Sequence, residues 1–67
     1  MITIKVNDVQ KKFSNTLTLH ELVAVLKLHT NGIAIAINGS VIKREDWTSQ
    51  ILHNNDDVLI IKSTQGG

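Results

Sequence analysis

The sequence feature that most constrains the fold is the start of an amphipathic helix near residue 18. Thr18 and Glu21 have the spacing of a capping box, in which each side chain accepts a hydrogen bond from the backbone N–H of the other residue. Apolar side chains then recur every three or four residues, which is typical of a helix with one buried face. These residues are Leu19, Leu22, Val23 and Leu26. We expect a helix over residues 19–29, closed in the left-handed conformation at Asn31 or Gly32.

The segment before this helix has the pattern of a β-hairpin. Residues 2–6 alternate apolar and polar side chains, which indicates a half-buried strand. Asn7-Asp8 provides a turn, and residues 9–13 alternate again. Because this second strand carries two lysines, we expect it to lie at a sheet edge.

Beyond the helix, the sequence predicts a second hairpin and a final strand. Residues 33–37 alternate large and small apolar side chains, and the Asn38-Gly39 pair predicts a tight turn into a short strand at residues 40–42. After a charged connector over residues 43–46, we expect a turn of helix laid over the core. Its apolar residues are Trp47, Ile51 and Leu52. The most apolar run of the chain, residues 58–61, predicts a buried final strand.

This order of elements predicts a single α+β domain over residues 1–67. The hairpins are antiparallel, whereas the first and last strands can pair only in parallel, through a long crossover. We therefore expect a mixed sheet of four to five strands with one main helix across one face. Residues 64–67 would follow the domain as a flexible C-terminal tail.

Composition excludes several classes of function. The 67 residues include no cysteine, which excludes disulfides and thiolate metal sites. Acidic and basic residues are interspersed and the formal net charge is +1, so no basic surface for nucleic acid or an anionic membrane is expected. The three histidines lack metal-ligand spacing, and no apolar run has the length of a membrane span. We expect a cytoplasmic protein without a metal, nucleic-acid or membrane partner.

The chain ends on Gln65-Gly66-Gly67, a segment of little width. Because neither glycine has a Cβ atom, the terminal carboxylate could enter a passage too narrow for side chains. The apolar run at residues 58–61 anchors the chain just before this tail. The arrangement suits the presentation of a carboxylate to another protein. From the tail alone, a chain end without function is the alternative.

Strand alternation also predicts an apolar surface on the side of the sheet away from the helix. The residues assigned to that side are Ala34, Ala36, Leu59 and Ile61. A sheet face open to water normally alternates apolar and polar residues, so this face is covered by another copy of the chain or by a partner. We prefer a partner, and expect Ala36, Leu59 and Ile61 to form its docking surface.

Four segments carry a resemblance to a known family. They are His20-Glu21-Leu22 at the start of the helix, residues 34–38, Arg44-Glu45-Asp46-Trp47 and the terminal Gly66-Gly67. In this order the whole chain resembles the β-grasp, ubiquitin-like fold and, within it, the ThiS family of sulfur carriers in thiamine biosynthesis.

Two positions depart from the pattern of that family. Lys43 stands where proline is frequent, and Asn55 stands where the turn before the last strand often has glycine. Asparagine tolerates the left-handed backbone better than other side-chain-bearing residues, so we expect this turn to be retained.

The resemblance implies a protein that is not an enzyme and that binds no cofactor of its own. In the family, a ThiF-like adenylating enzyme uses ATP to adenylate the terminal carboxylate, which in this chain would be that of Gly67. A persulfide from a cysteine desulfurase or another donor then converts the acyl-adenylate to a thiocarboxylate, and thiazole synthase accepts the sulfur. Gly66 and Gln65 would belong to the tail that reaches these active sites.

Two other kinds of function fit the same residues. One is the small subunit of molybdopterin synthase, a related carrier that works as a stable subunit. Its chains are usually longer and have prolines near the tail, whereas this sequence contains no proline. The other is a ubiquitin-like modifier attached to lysines, or a plain interaction domain with an incidental Gly-Gly.

Overall fold

The computed structural model describes residues 1–62, which form a five-stranded sheet and one α-helix. In chain order the elements are β1 (Ile2–Val6), β2 (Val9–Phe13), α1 (Leu19–Val25), β3 (Ile33–Ile37), β4 (Ser40–Ile42), a 3-10 helix (Arg44–Asp46) and β5 (Asp57–Lys62). The strand order across the sheet is β2-β1-β5-β3-β4. The predicted mixed sheet with one main helix is confirmed, while the tail predicted at residues 64–67 lies outside the described residues.

Both predicted hairpins form, and both use two-residue turns with left-handed backbone. The φ angles are 50° at Asn7 and 67° at Asp8 in the first turn, and 51° at Asn38 and 87° at Gly39 in the second. Positive φ at both central residues is the mark of a type I′ turn, whose twist matches that of the flanking strands. Strand β2 lies at a sheet edge, as predicted.

Strand β5 lies at the centre of the sheet. It pairs in parallel with β1, where Val6 is opposite Val58, and antiparallel with β3, where Ile37 is opposite Val58. The predicted parallel pairing of the first and last strands is therefore confirmed. The last described residue of this central strand is Lys62.

Helix α1 begins with the predicted capping box. The Glu21 N–H donates to Thr18 Oγ1 at 3.1 Å, and the Thr18 N–H donates to Glu21 Oε1 at 2.8 Å. The side chains of Leu19, Leu22 and Val23 are buried against the sheet. The cap and the apolar stripe thus set where the helix starts and which face it buries.

The predicted end of the helix is wrong, because α1 stops at Val25 instead of continuing to residue 29. Lys27 takes the left-handed position with φ of 56°, and its N–H donates to Ala24 O at 3.1 Å. The Leu28 N–H donates to Val23 O at 3.2 Å, which completes a Schellman motif. A longer helix would direct Leu28 away from the buried stripe, whereas this ending lets Leu28 pack against the core.

The core lies between α1 and the inner face of the sheet, the face that the helix covers. Its largest fully buried side chains are Ile4, Leu19, Leu22, Ile35, Leu52 and Val58. Trp47 is also buried, and its indole N–H donates to Ile42 O at 3.1 Å.

The predicted helical turn is displaced by one turn from its expected position. It occupies the segment Arg44–Asp46, which the sequence indicated as a connector. Trp47 and Leu52 are buried as expected, but Ile51 is half exposed and forms a bridge with Thr18. The bridge to Thr18 gives Ile51 a strand-like backbone, and because neighbouring side chains of such a segment point to opposite sides, Leu52 enters the core while Ile51 does not.

Candidate functional site

The predicted reactive end of the chain, Gln65-Gly66-Gly67, lies outside the described residues. The nearest described element is β5, which ends at Lys62. This strand contributes to the outer face of the sheet, which is the face away from α1, and it accepts and donates hydrogen bonds with the two hairpin turns.

Five apolar residues form one contiguous surface on the outer face, which we call the outer patch. The strand register places Ala36 between Val41 of β4 and Leu59 of β5, and places Ala34 opposite Ile61. The outer patch therefore consists of Ala34, Ala36, Val41, Leu59 and Ile61. All five lie outside the packed core cluster, which is formed on the inner face.

Exposure differs within the outer patch. Leu59 and Ile61 are each 48% exposed and Val41 is 69% exposed, so these three provide most of its open apolar surface. Ala36 is only 7% exposed because it is flanked by the larger Val41 and Leu59 side chains. Of the three residues predicted to dock a partner, Leu59 and Ile61 offer open area and Ala36 offers little.

Val41 is the outer-patch residue that the sequence reasoning missed. The signal was present, because a two-residue turn at Asn38-Gly39 places residue 41 directly opposite Ala36. A register counted outward from the turn would have assigned the Val41 side chain to the outer face.

The other half of the outer face is polar. Thr3 and Lys5 of β1 alternate with the buried Ile4 and Val6, and therefore point away from the helix. Their cross-strand partners on β2 are Lys12 and Gln10. The outer face is thus divided along the sheet into a polar half on β1 and β2 and an apolar half on β3, β4 and β5.

The asparagines of the two hairpin turns hold residues 57–60 of β5. At the start of the strand, the Asn38 N–H donates to Asp57 O at 2.8 Å and the Asp57 N–H donates to Asn38 Oδ1 at 3.0 Å. Further along, the Asn7 N–H donates to Val58 O at 3.0 Å, the Ile60 N–H donates to Asn7 Oδ1 at 2.7 Å and Asn7 Nδ2 donates to Ile60 O at 3.3 Å. The two turns thereby fix β5 from both sides over residues 57–60, and its last two residues pair with β3.

Comparison with known proteins decides the family. The model of the ThiS family matches residues 3–67. The chain belongs to the ThiS family. A relative named "Sulfur carrier protein ThiS", from Escherichia coli K12, is 33% identical over 61 residues, covering 91% of this chain and 92% of that protein.

Solved structures share the fold of this ThiS-family chain. The crystal structure of a thiamine biosynthesis protein, ThiS, from Geobacter metallireducens matches with a TM-score of 0.85 at 23% identity, covering 98% of this chain and all of that one. A solution NMR structure of a thiamine biosynthesis protein from the same organism matches with a TM-score of 0.79, covering 98% of this chain and 88% of that one. The β-grasp fold expected from the sequence is confirmed.

The two departures from the ThiS-family pattern leave the backbone as it would be with the common residue. Lys43 has φ of −62°, close to the value of about −65° that proline imposes. Asn55 has φ of 72°, the left-handed conformation for which glycine is favoured. The expectation that asparagine retains this turn is confirmed.

The Arg44–Trp47 segment, which resembles the ThiS family, makes structural contacts. The Arg44 guanidinium carbon lies 5.6 Å from the centroid of the Trp47 ring. The Nη2 group of the same guanidinium donates a hydrogen bond to Thr30 Oγ1. These contacts tie the connector after β4 to the loop after α1. These contacts give the segment a structural role, and none of its residues belongs to the outer patch.

Charged and metal-binding side chains are not gathered into a centre within residues 1–62. In that part of the chain no group of three or more His, Cys, Asp or Glu residues could hold a metal ion. Asp56 closes the turn before β5, accepting from the His53 N–H at 2.7 Å and from Asn38 Nδ2 at 3.1 Å. Over the same residues, none of the helices combines the length and the apolar character that crossing a membrane requires.

Proposed function

We propose that this chain is a sulfur carrier of thiamine biosynthesis whose reactive group is the C-terminal carboxylate of Gly67. The observation that carries the proposal is the match of the family model through residue 67, which includes the terminal Gly66-Gly67. The name of the Escherichia coli relative, a sulfur carrier protein, supports the same function. The protein acts as a substrate and carrier, not as an enzyme.

The chemistry explains why a carrier of this kind needs an activating partner. A carboxylate is a poor electrophile, so a ThiF-like enzyme uses ATP to form an acyl-adenylate and releases pyrophosphate. A persulfide supplied by a cysteine desulfurase or another donor then attacks the acyl carbon and displaces AMP, and a thiol cleaves the resulting S–S bond to leave a thiocarboxylate. Thiazole synthase takes the sulfur from this group. ATP is bound by the activating enzyme, and the carrier needs no cofactor of its own.

The tail residues suit this chemistry because of their small size. Gly66 and Gly67 have no side chains, so the acyl group can be enclosed in a narrow site from which water is excluded. Exclusion of water matters because water would hydrolyse the acyl-adenylate before sulfur arrives. Gln65 would be the last side chain at the mouth of such a passage.

We further propose that the outer patch docks the adenylating enzyme. Leu59 and Ile61 lie half exposed on the strand that leads directly into the tail, and Val41 extends their surface. Gly67 follows Ile61 by six residues, an extended reach of roughly 20 Å. Docking through the outer patch would therefore bring the carboxylate into a nearby active site. The polar half of the outer face would remain in solvent, and the cytoplasm is the expected location of these encounters.

The proposal is tested by changing the end of the chain. Deleting Gly67, or appending one residue after it, should abolish ATP–pyrophosphate exchange catalysed by a ThiF-like adenylating enzyme, because the carboxylate is then displaced from the activated phosphate. The urea midpoint of the same variants should not change, because a terminal glycine has no side chain to bury. Exchange that persists with the appended residue intact would contradict the proposal.

A further inference from the structure

An open apolar groove lies on the inner face of the sheet, between the C-terminal end of α1 and the β1–β2 hairpin. Its volume is about 560 Å³. Its apolar lining consists of Val6 and Ile60 on the floor and of Val9, Leu26 and Leu28 at the sides. Val9 lies opposite Val6, on the inner side of β2, and is nevertheless 55% exposed. We call this space the inner groove, and its open apolar surface is separate from the outer patch.

Positive side chains border the inner groove. Lys11 and Lys62 line it. An adjoining cavity of about 260 Å³ shares Leu28 and Lys62 with the groove and adds Lys27 and His29. Three of the seven Lys and Arg side chains thus border this region, and none of the six Asp and Glu side chains does. In a chain whose formal net charge is only +1, this uneven distribution favours an anionic occupant.

Strand β2, which forms one side of the inner groove, has an open edge. Within residues 1–62 its only neighbour in the sheet is β1. The Asn7 N–H donates to β5, so its neighbour Val6 directs its backbone groups to β2, where it lies opposite Val9. By the same alternation, the N–H and C=O groups of Gln10 and Lys12 point to the open edge. An extended peptide can pair with such groups as an added strand.

We propose that the inner groove binds an extended, acidic segment of a partner protein. The backbone of the segment pairs with the open edge of β2, its apolar side chains reach across Val9 to the floor, and its carboxylates lie near Lys11 and Lys62. Both chemistries are needed, because a purely acidic segment would leave the floor uncovered and a purely apolar one would leave the lysines unpaired. Residues 63–67 of the chain have neither apolar nor acidic side chains, so they do not suit the groove.

The inner groove and the outer patch lie on opposite faces of the sheet. A segment in the groove would therefore leave Leu59 and Ile61 accessible to the adenylating enzyme. The proposal goes beyond the carrier function, since it assigns a second partner surface that does not depend on the reactive carboxylate.

Two adjacent lysines of β2 offer a matched pair of variants. Lys11 lines the inner groove, whereas Lys12 lies opposite Thr3 on the polar half of the outer face. Lys11→Glu and Lys12→Glu change the net charge equally and on the same edge strand, but only the first changes the charge beside the groove. Lys62→Glu changes the groove from β5 and replaces Lys11→Glu in the comparison if that variant fails to fold.

The experiment titrates the full chain with two capped nine-residue peptides, followed by two-dimensional NMR. Both peptides have the centre Val-Thr-Ile-Thr-Val, and they carry either two glutamates or two lysines at each end. We expect the acidic peptide to shift the amide signals of Val9, Leu28 and Ile60, and to slow amide hydrogen exchange at Gln10 and Lys12. The basic peptide should bind at least tenfold more weakly.

The variants test the role of charge beside the inner groove. Lys11→Glu should raise the Kd for the acidic peptide about tenfold and lower the Kd for the basic peptide. Lys12→Glu should change either Kd no more than about twofold, because its side chain lies on the other face of the sheet.

Five results would overturn the proposal. Equal weakening by Lys11→Glu and Lys12→Glu would reduce the effect to net charge. Equal affinity for the two peptides, or shifts confined to the outer patch, would show that the groove does not select an acidic segment. Unchanged exchange at Gln10 and Lys12 in the bound state would exclude strand pairing. Shifts of the groove signals with the concentration of the chain alone would identify a second copy as the occupant, and sodium octanoate binding as tightly as the acidic peptide would identify a small anion instead.

Discussion

Strand β5 places similar side chains in two opposite environments. Val58 and Ile60 point to the inner face and are almost completely buried, whereas Leu59 and Ile61 point to the outer face and are each 48% exposed. All four are branched aliphatic residues, so their chemistry does not explain the difference. The inner pair is covered by α1, while no element within residues 1–62 packs over the outer pair.

One half of the outer face carries the polar side chains that are typical of a sheet face open to water. Its β1–β2 half carries Thr3, Lys5, Gln10 and Lys12, whereas its β3–β4–β5 half carries the outer patch. Folding alone therefore does not require apolar residues on this side. The inner face stabilises the domain, and we attribute the apolar half of the outer face to recognition by a partner.

The largest effect should follow from placing a charge on the inner side of β5. Val58→Arg would bury a guanidinium among apolar side chains at a position with no exposed surface. An unpaired buried charge costs several kcal/mol, against a total stability of roughly 3–10 kcal/mol for a domain of this size. We expect the variant to be unfolded, as judged by the loss of dispersed amide signals in a two-dimensional NMR spectrum. A native-like spectrum would mean that the inner assignment of Val58 is wrong.

A smaller loss of stability should follow from truncating the helix side chains that cover the inner face. Leu22 is fully buried, so Leu22→Ala should lower the free energy of unfolding by about 2–5 kcal/mol through lost transfer energy and a residual cavity. Leu26 is only partly buried, and Leu26→Ala should cost less. Urea denaturation checks both values. Equal shifts of the two midpoints would contradict the packing of α1.

An arginine at the neighbouring outer residue, Leu59, should have a different effect from an arginine at Val58: it should weaken partner binding and leave stability nearly unchanged. Leu59→Arg should change the free energy of unfolding by no more than about 0.5 kcal/mol, because the side chain already extends into solvent. Binding to the adenylating enzyme should weaken by about 2 kcal/mol, or roughly thirtyfold in Kd, because the charge would be buried against an apolar counterpart. Titration calorimetry and thermal unfolding of the same sample measure the two quantities.

Gln10→Arg is the matched control for Leu59→Arg, since it adds the same charge to the polar half of the outer face. We expect it to change neither stability nor binding. Unfolding of Leu59→Arg would show that Leu59 belongs to the core. If the two arginine variants weaken binding equally, the effect comes from net charge and the outer patch has no special role.

The smallest effect concerns the cap that starts α1. Thr18→Ala removes the acceptor for the Glu21 N–H and should lower the free energy of unfolding by about 1 kcal/mol. Partner binding should be unchanged, because the helix covers the inner face only. A loss of binding without a loss of stability would show that the inner side of the domain also contacts the partner.

Much of the fold could be predicted from the sequence because its signals are local. The capping box at Thr18 and the Asn38-Gly39 turn fix the start of the helix and the second hairpin through residues only a few positions apart. The end of α1 could not be predicted in this way. Lys27 adopts the left-handed conformation without being glycine or asparagine, because the ending that it allows returns Leu28 to the core.

Part of the candidate site could also be predicted, because strand alternation is a local signal. Alternation alone assigned Leu59 and Ile61 to the outer face, since side chains of a strand alternate strictly between its two sides. Alternation could not predict that the small Ala36 side chain would be covered by its larger neighbours, nor that Val41 would extend the surface. The Asn7 side chain accepts a hydrogen bond from Ile60, which is 53 positions away in the chain, and no local sequence pattern indicates this contact.

The central claim is that the carboxylate of Gly67 carries sulfur, and the intact mass of the protein tests it most directly. The full chain would be incubated with ATP, a ThiF-like adenylating enzyme, a cysteine desulfurase, cysteine and a thiol reductant. The account predicts a mass increase equal to the replacement of one oxygen by one sulfur, located in the C-terminal peptide and absent without ATP. An unchanged mass in the complete reaction, or an adduct in which the terminal glycine is joined to a lysine, would contradict it.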